Sequence, residues 1–60
     1  MPTARDDAAA RFAQGSELAR QGRLAEAEAV FAELAAARPE IPAVQFNLAL
    51  LRERQGRFAE

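Results

Sequence analysis

The side chains that could carry out covalent chemistry in this 60-residue chain are few. Cysteine, histidine and lysine are absent from the sequence, and Thr3 and Ser16 are its only hydroxyl-bearing residues. A serine or threonine nucleophile needs a base beside it, and no histidine can take that role here. The sequence therefore predicts no catalytic triad and indicates that these residues alone are not an enzyme.

Carboxylates are the remaining candidates for a metal or cofactor site. Glu26, Glu28 and Glu33 are close in sequence, but the first two are about 200° apart around a helix. Protein metal sites also commonly use histidine or cysteine, which this chain lacks. The three glycines are isolated and form no phosphate-binding loop. We expect no metal and no cofactor, and interpret the three glutamates as a solvated face.

Charge and hydropathy restrict the possible partners. Eight arginines against nine acidic residues give a net charge of -1, without the basic excess typical of nucleic-acid binding. Apolar runs are far shorter than the about 20 residues that span a bilayer, and no secretory signal is visible in the first thirty residues. The sequence predicts neither a nucleic-acid nor a membrane partner and favours the cytoplasm. Sixteen alanines and exclusive use of arginine suggest a bacterial source.

An internal repeat organises the chain. Residues 20–26 read RQGRLAE and residues 54–60 read RQGRFAE, which gives an offset of 34. The same offset aligns Phe12 with Phe46, and seven of the fifteen aligned pairs from there onward are identical. Such a period is typical of stacked helical repeats.

Local signals predict two helices in the first part of the chain. The first runs from Ala4 to Arg20, with a capping-box-like start at Thr3, and ends at Gly22, since glycine accepts the left-handed conformation of helix ends. The second runs from about Leu24 to the residue before Pro39, where proline disfavours helix.

A third helix is predicted from Pro42 to Gln55, with Gly56 as its stop. The connections are four or five residues long, so neighbouring helices are antiparallel. We find no alternating strand pattern, and the predicted fold class is all-α. The third helix has two apolar stripes. The first should be buried and consists of Val44, Leu48 and Leu51. The second should have no cover and consists of Phe46, Ala49 and Leu50.

The period and its residues resemble the tetratricopeptide repeat family. Two short helices per 34 residues carry small residues at Gly15 and Ala27, an aromatic residue at Phe31 and a proline at Pro39. The resemblance implies a fragment of an α-solenoid of antiparallel helix pairs. Residues 8–41 would be one complete repeat after a tail or helix start at 1–7, and residues 42–60 a second, truncated repeat. We therefore expect the chain to end inside a repeat.

The sequence also departs from the family pattern. Arg11 and Gln45 stand where the family often has a bulky aromatic residue. Members that grip the carboxylate tail of a chaperone have lysine and asparagine where this chain has Phe12 and Ser16, although Asn47 matches another expected polar position. A carboxylate clamp is not supported.

Family members commonly bind a partner's peptide or helix in a concave groove formed by the first helices of successive repeats. The residues that the resemblance places in that groove are Phe12, Ser16, Arg20, Phe46, Leu50 and Arg54. Apolar anchors beside cations suit a peptide with an apolar side chain and a nearby acid. Two alternatives stay open: the phenylalanines belong to the core between helices, and the arginines only complement helix dipoles.

The expected function is a protein-interaction scaffold that binds a peptide or helix. The alternative is the N-terminal module of a larger enzyme, such as a transferase. About three repeats are usually needed for a stable array, so we also expect partial folding or self-association through the uncovered third helix.

Overall fold

The computed structural model describes residues 4–59 of the chain, with side chains described for residues 7–56. Its three helices are α1 (Ala4–Arg20), α2 (Leu24–Ala37) and α3 (Pro42–Ala59). No strand occurs within the described range, so the all-α prediction is confirmed. The predicted cap at Thr3 lies outside the described residues.

The turn between α1 and α2 depends on Gly22, whose φ is +82°. The Gly22 N–H donates to the Ala19 carbonyl oxygen at 3.0 Å, and the Arg23 N–H donates to the Leu18 carbonyl oxygen at 2.9 Å. This pair of hydrogen bonds is the Schellman arrangement, which satisfies the last carbonyl groups of a helix. The predicted helix stop at Gly22 is therefore confirmed.

The turn between α2 and α3 starts at Arg38. The Arg38 N–H donates to the Leu34 carbonyl oxygen at 2.8 Å, and the Ile41 N–H donates to the Arg38 carbonyl oxygen at 3.3 Å. Pro42 is the first residue of α3, where a missing N–H costs nothing because the first turn of a helix leaves its donors unpaired.

The prediction that Gly56 stops the third helix is wrong, because α3 continues to Ala59. Gly22 has a positive φ and Gly56 does not. A glycine within a helix costs only about 1 kcal/mol relative to alanine. At Gly22 the left-handed turn brings α2 back onto α1, whereas at Gly56 the backbone stays helical.

The core lies where α2 packs against both of its neighbours. Its buried residues are Ala8, Ala27, Phe31, Leu34, Val44, Leu48 and Leu51. The α3 residues in this set are those of the stripe predicted to be buried. Phe31 fills the centre and is 1% exposed.

The second stripe of α3 is uncovered, as the sequence predicts. Phe46 is 65% exposed and Leu50 is 39% exposed, and Ala49 is exposed as well.

Among the described residues, no helix has both the length and the apolarity needed to cross a membrane.

Candidate functional site

Helices α1 and α3 run in the same direction on one side of α2. Arg11 of α1 contacts Glu33 near the end of α2, and Glu28 near the start of α2 contacts Gln55 near the end of α3. Each hairpin is thus antiparallel, and two antiparallel steps make α1 and α3 parallel. The surface between these two helices is the groove in which the sequence-predicted residues are expected.

A cleft with a volume of about 240 Å³ lies at the C-terminal end of this groove. We call it the arginine cleft; its lining residues are Ser16, Ala19, Arg20, Phe31, Asn47, Leu50, Leu51 and Arg54. Phe31 comes from α2, and the other residues come from the two parallel helices. The cleft therefore joins both copies of the 34-residue repeat.

A second cleft, of about 380 Å³, lies at the N-terminal end of α1. We call it the apolar cleft; its lining residues are Ala8, Ala9, Phe12, Leu34, Arg38 and Ile41. Arg38 is the only charged residue among these. The α1 side of the groove is therefore apolar near its start and cationic near its end.

The six predicted groove residues divide into three groups. Ser16, Arg20, Leu50 and Arg54 come together in the arginine cleft. Phe12 lines the apolar cleft. Phe46 lines neither cleft and lies exposed on α3, four residues before Leu50.

The two phenylalanines of the repeat have different environments. Phe12 is partly buried against the core, and its ring meets Phe31 edge to face, with centroids 5.3 Å apart and planes at 80°. This geometry is the favourable one for aromatic pairs, so Phe12 belongs in part to the core between helices. Phe46 does not, because most of its surface is open to solvent.

The two arginines of the cleft also differ. Arg20 donates to both carboxylate oxygens of Glu17, at 2.6 and 2.8 Å. Hydrogen bonds from Arg20 and Gln21 hold the pKa of Glu17 below its ordinary value. Of the six arginines whose side chains are described, five form ion pairs, and Arg54 is the sixth. Arg54 is therefore available to an external carboxylate.

Asn47 is a cleft residue that the sequence analysis did not include among its candidates. Its Nδ2 donates to the Ala43 carbonyl oxygen at 2.7 Å, which holds the side chain on the α3 wall. An asparagine amide has two donor hydrogens and one acceptor oxygen, so this bond leaves it capacity for a ligand. The resemblance of Asn47 to a family polar position was the signal that could have identified it.

The interpretation of the α2 glutamates as a solvated face is wrong for Glu28. Its side chain is partly buried and accepts hydrogen bonds from Gln55 Nε2 at 2.6 Å and Arg52 Nε at 3.0 Å, both on α3. Both hydrogen bonds lower the pKa of Glu28, and the one from Gln55 has the larger effect. Glu33 forms an ion pair with Arg11 of α1 at 2.6 Å. Glu28 and Glu33 thus join α2 to α3 and to α1, whereas Glu26 pairs with Arg23 in the preceding turn.

A further cleft, of about 450 Å³, is formed by the start of α1 and the end of α2. Its charged residues include Arg11 and Glu33, which neutralise each other, and Arg38, which is paired with Glu40. In the described part of the chain, no group of three or more acidic side chains is placed to hold a metal ion.

A scan against protein-family models found none that matches this chain. Searches of curated proteins and of solved structures likewise found no significant match.

Proposed function

We propose that this chain is a protein-interaction module of the tetratricopeptide type, and that the groove between α1 and α3 binds a peptide segment of a partner protein. One observation carries the proposal. Four of the six residues that the family resemblance assigns to the groove, two from each copy of the repeat, line a single cleft: Ser16, Arg20, Leu50 and Arg54.

The exposed apolar surface of α3 supports the same assignment. Phe46 and Leu50 are the large apolar side chains that remain exposed among the described residues, and they are one helical turn apart. Contiguous exposed apolar surface with a polar border is typical of interaction sites. Arg54 follows Leu50 by another turn, so a cation borders the patch.

The contact between the helices supports the repeat-like arrangement. Gly15 and Ala27 allow α1 and α2 to approach closely, as small residues do in helix pairs, and Phe31 lies beside them with its ring buried. The tight turn at Gly22 then sets the second helix directly against the first. Stacking of such hairpins would place α1 and α3 side by side, which is the arrangement that forms the groove.

Selection of peptides from a random display library on the immobilised 60-residue chain tests the proposal. Selected peptides should bind with affinities that fall by about 1 to 2 kcal/mol when Phe46 is replaced by alanine. Gln45→Ala is the matched control, because Gln45 is also exposed on α3 but lies about 100° around the helix from Phe46.

The thermal stability of both variants should stay close to that of the parent chain, because both side chains are exposed. If Phe46→Ala lowers the melting temperature and leaves the affinity of the folded chain unchanged, Phe46 is structural. If the library yields no peptide that binds the chain, the groove is not an interaction site.

A further inference from the structure

We infer that the groove takes an extended acidic peptide, in which one carboxylate contacts Arg54 and an apolar side chain about four residues away contacts Phe46. This inference rests on the proposed function and specifies its partner. It follows from the polarity of the groove, from the charge state of its arginines and from the polar groups between the two ends.

The polarity of the groove comes from two parallel rows of side chains. Each row has members four residues apart: Phe12, Ser16 and Arg20 on α1, and Phe46, Leu50 and Arg54 on α3. A phenylalanine stands at the start of each row and an arginine at its end, about 12 Å further along the helix. Because the helices are parallel, both rows point the same way, so a ligand meets apolar surface at one end and positive charge at the other.

The charge at the cationic end is only partly compensated. Glu17 lies beside Arg20 and binds it through both carboxylate oxygens, so the positive charge of Arg20 is already matched. Arg54 lacks such a partner within the described part of the chain. A carboxylate from a ligand can therefore pair with Arg54 without displacing an existing ion pair, and charge-assisted bonds of this kind are stronger than neutral ones.

The groups between the two ends favour an extended ligand over a helical one. Ser16 of α1 and Asn47 of α3 both line the arginine cleft, and hydroxyl and amide groups can donate to and accept from a peptide backbone. An extended peptide has free backbone N–H and C=O groups along its length, whereas the middle of a helix has none. An extended chain also covers about 12 Å in roughly four residues.

Fluorescence anisotropy with three labelled peptides tests the inference on the 60-residue chain. The first peptide has one leucine and one glutamate four residues apart in a glycine-serine background, and the second replaces the glutamate by glutamine. The third carries the same leucine and glutamate eight residues apart in an alanine-rich helical background. We expect the first peptide to bind about five-fold more tightly than the second, as for a partly exposed charged contact, and more tightly than the third.

Variants of the chain then show which arginine is responsible. Arg54→Gln should abolish the preference for glutamate over glutamine. Arg54→Glu should reverse it in favour of a peptide with lysine at that position. Arg23→Gln is the matched control, because Arg23 is in the α1–α2 turn and is paired with Glu26; this variant should keep the preference.

Three outcomes would overturn the inference while leaving peptide binding itself intact. They are equal affinity for the glutamate and glutamine peptides, tighter binding of the helical peptide, and a preference for glutamate that survives Arg54→Gln. A chain that binds no peptide, from these three or from the display library, would remove the proposed function and this inference together. Circular dichroism of each variant confirms that its helices are formed.

Discussion

Gly15 of α1 lies directly against the ring of Phe31 of α2. A Cβ atom placed at Gly15 would be 2.8 Å from Cε2 of that ring and 3.0 Å from Cζ, which is closer than van der Waals contact allows. The backbone of α1 therefore rests on the aromatic ring. Since Phe31 also lines the arginine cleft, one contact sets both the spacing of the first two helices and the floor of the candidate site.

Replacing Gly15 by alanine should destabilise the protein. Overpacking of a full core costs about 1 to 3 kcal/mol, and the added Cβ would be within 3.1 Å of three ring atoms of Phe31, whose side chain is almost fully buried. The better helix propensity of alanine returns about 1 kcal/mol. We expect a net loss of about 1 kcal/mol, measured by urea denaturation, and an unchanged or higher stability would contradict the close contact.

Gly56→Ala is the matched control and should have the opposite sign. Apart from its chain neighbours and the backbone of its own helix, no described atom lies within 4 Å of a Cβ added at Gly56, and Gly56 is inside α3. Removing a helical glycine should therefore stabilise the chain by about 0.5 to 1 kcal/mol. A loss of stability would indicate that Gly56 terminates the helix in solution.

Gly22→Ala isolates the cost of backbone conformation. Among the described residues, none comes within 4 Å of a Cβ added at Gly22, but its φ of +82° is unfavourable for a residue with a Cβ. We expect a loss of about 1 to 2 kcal/mol. Gly22→Asn should lose less, because asparagine tolerates left-handed conformations better. Equal stabilities of the two variants in thermal denaturation would argue against a left-handed conformation at position 22.

The bond between α2 and α3 at Glu28 should make stability depend on acid pH. Gln55 and Arg52 lower the pKa of Glu28 from its ordinary value of 4.5, so its folded-state pKa is below its unfolded-state pKa. The resulting stabilisation is complete above the unfolded pKa and is lost as pH falls through the folded pKa. Denaturation midpoints should therefore be steady near neutral pH and decrease below about pH 4.5.

Two variants test the origin of this acid dependence. Glu28→Gln should be less stable than the parent chain at pH 7 and should lose less stability on acidification. Gln55→Ala removes the largest cause of the lowered pKa, so its acid loss should be smaller than in the parent chain and should be complete at a higher pH. Glu17 and Glu40 have lowered pKa values of the same sign, so some acid dependence should remain in Glu28→Gln.

The uncovered stripe of α3 should make the isolated chain self-associate. Phe46 and Leu50 expose apolar surface that two chains could bury against each other. Sedimentation over a concentration series should show a weight-average mass that rises with concentration, and Phe46→Ser should reduce the rise. A fully helical monomer at every concentration, with a sharp thermal transition, would show that three helices suffice without a partner.

The local structure was predictable from the sequence because its causes are local. Helix α1 and the start of α2 follow from apolar spacing and from the glycine at position 22, which can adopt a positive φ. These features need no knowledge of distant parts of the chain.

The tertiary structure decided what depends on neighbours far away in sequence. Glu28 belongs to the bond between α2 and α3 because Arg52 and Gln55, 24 and 27 residues later, come within hydrogen-bonding distance. Gly56 lies inside α3, whereas Gly22, in the same sequence context, has a positive φ and ends α1. In each case the same local sequence is compatible with two outcomes, and the free energy of packing against another helix selects between them.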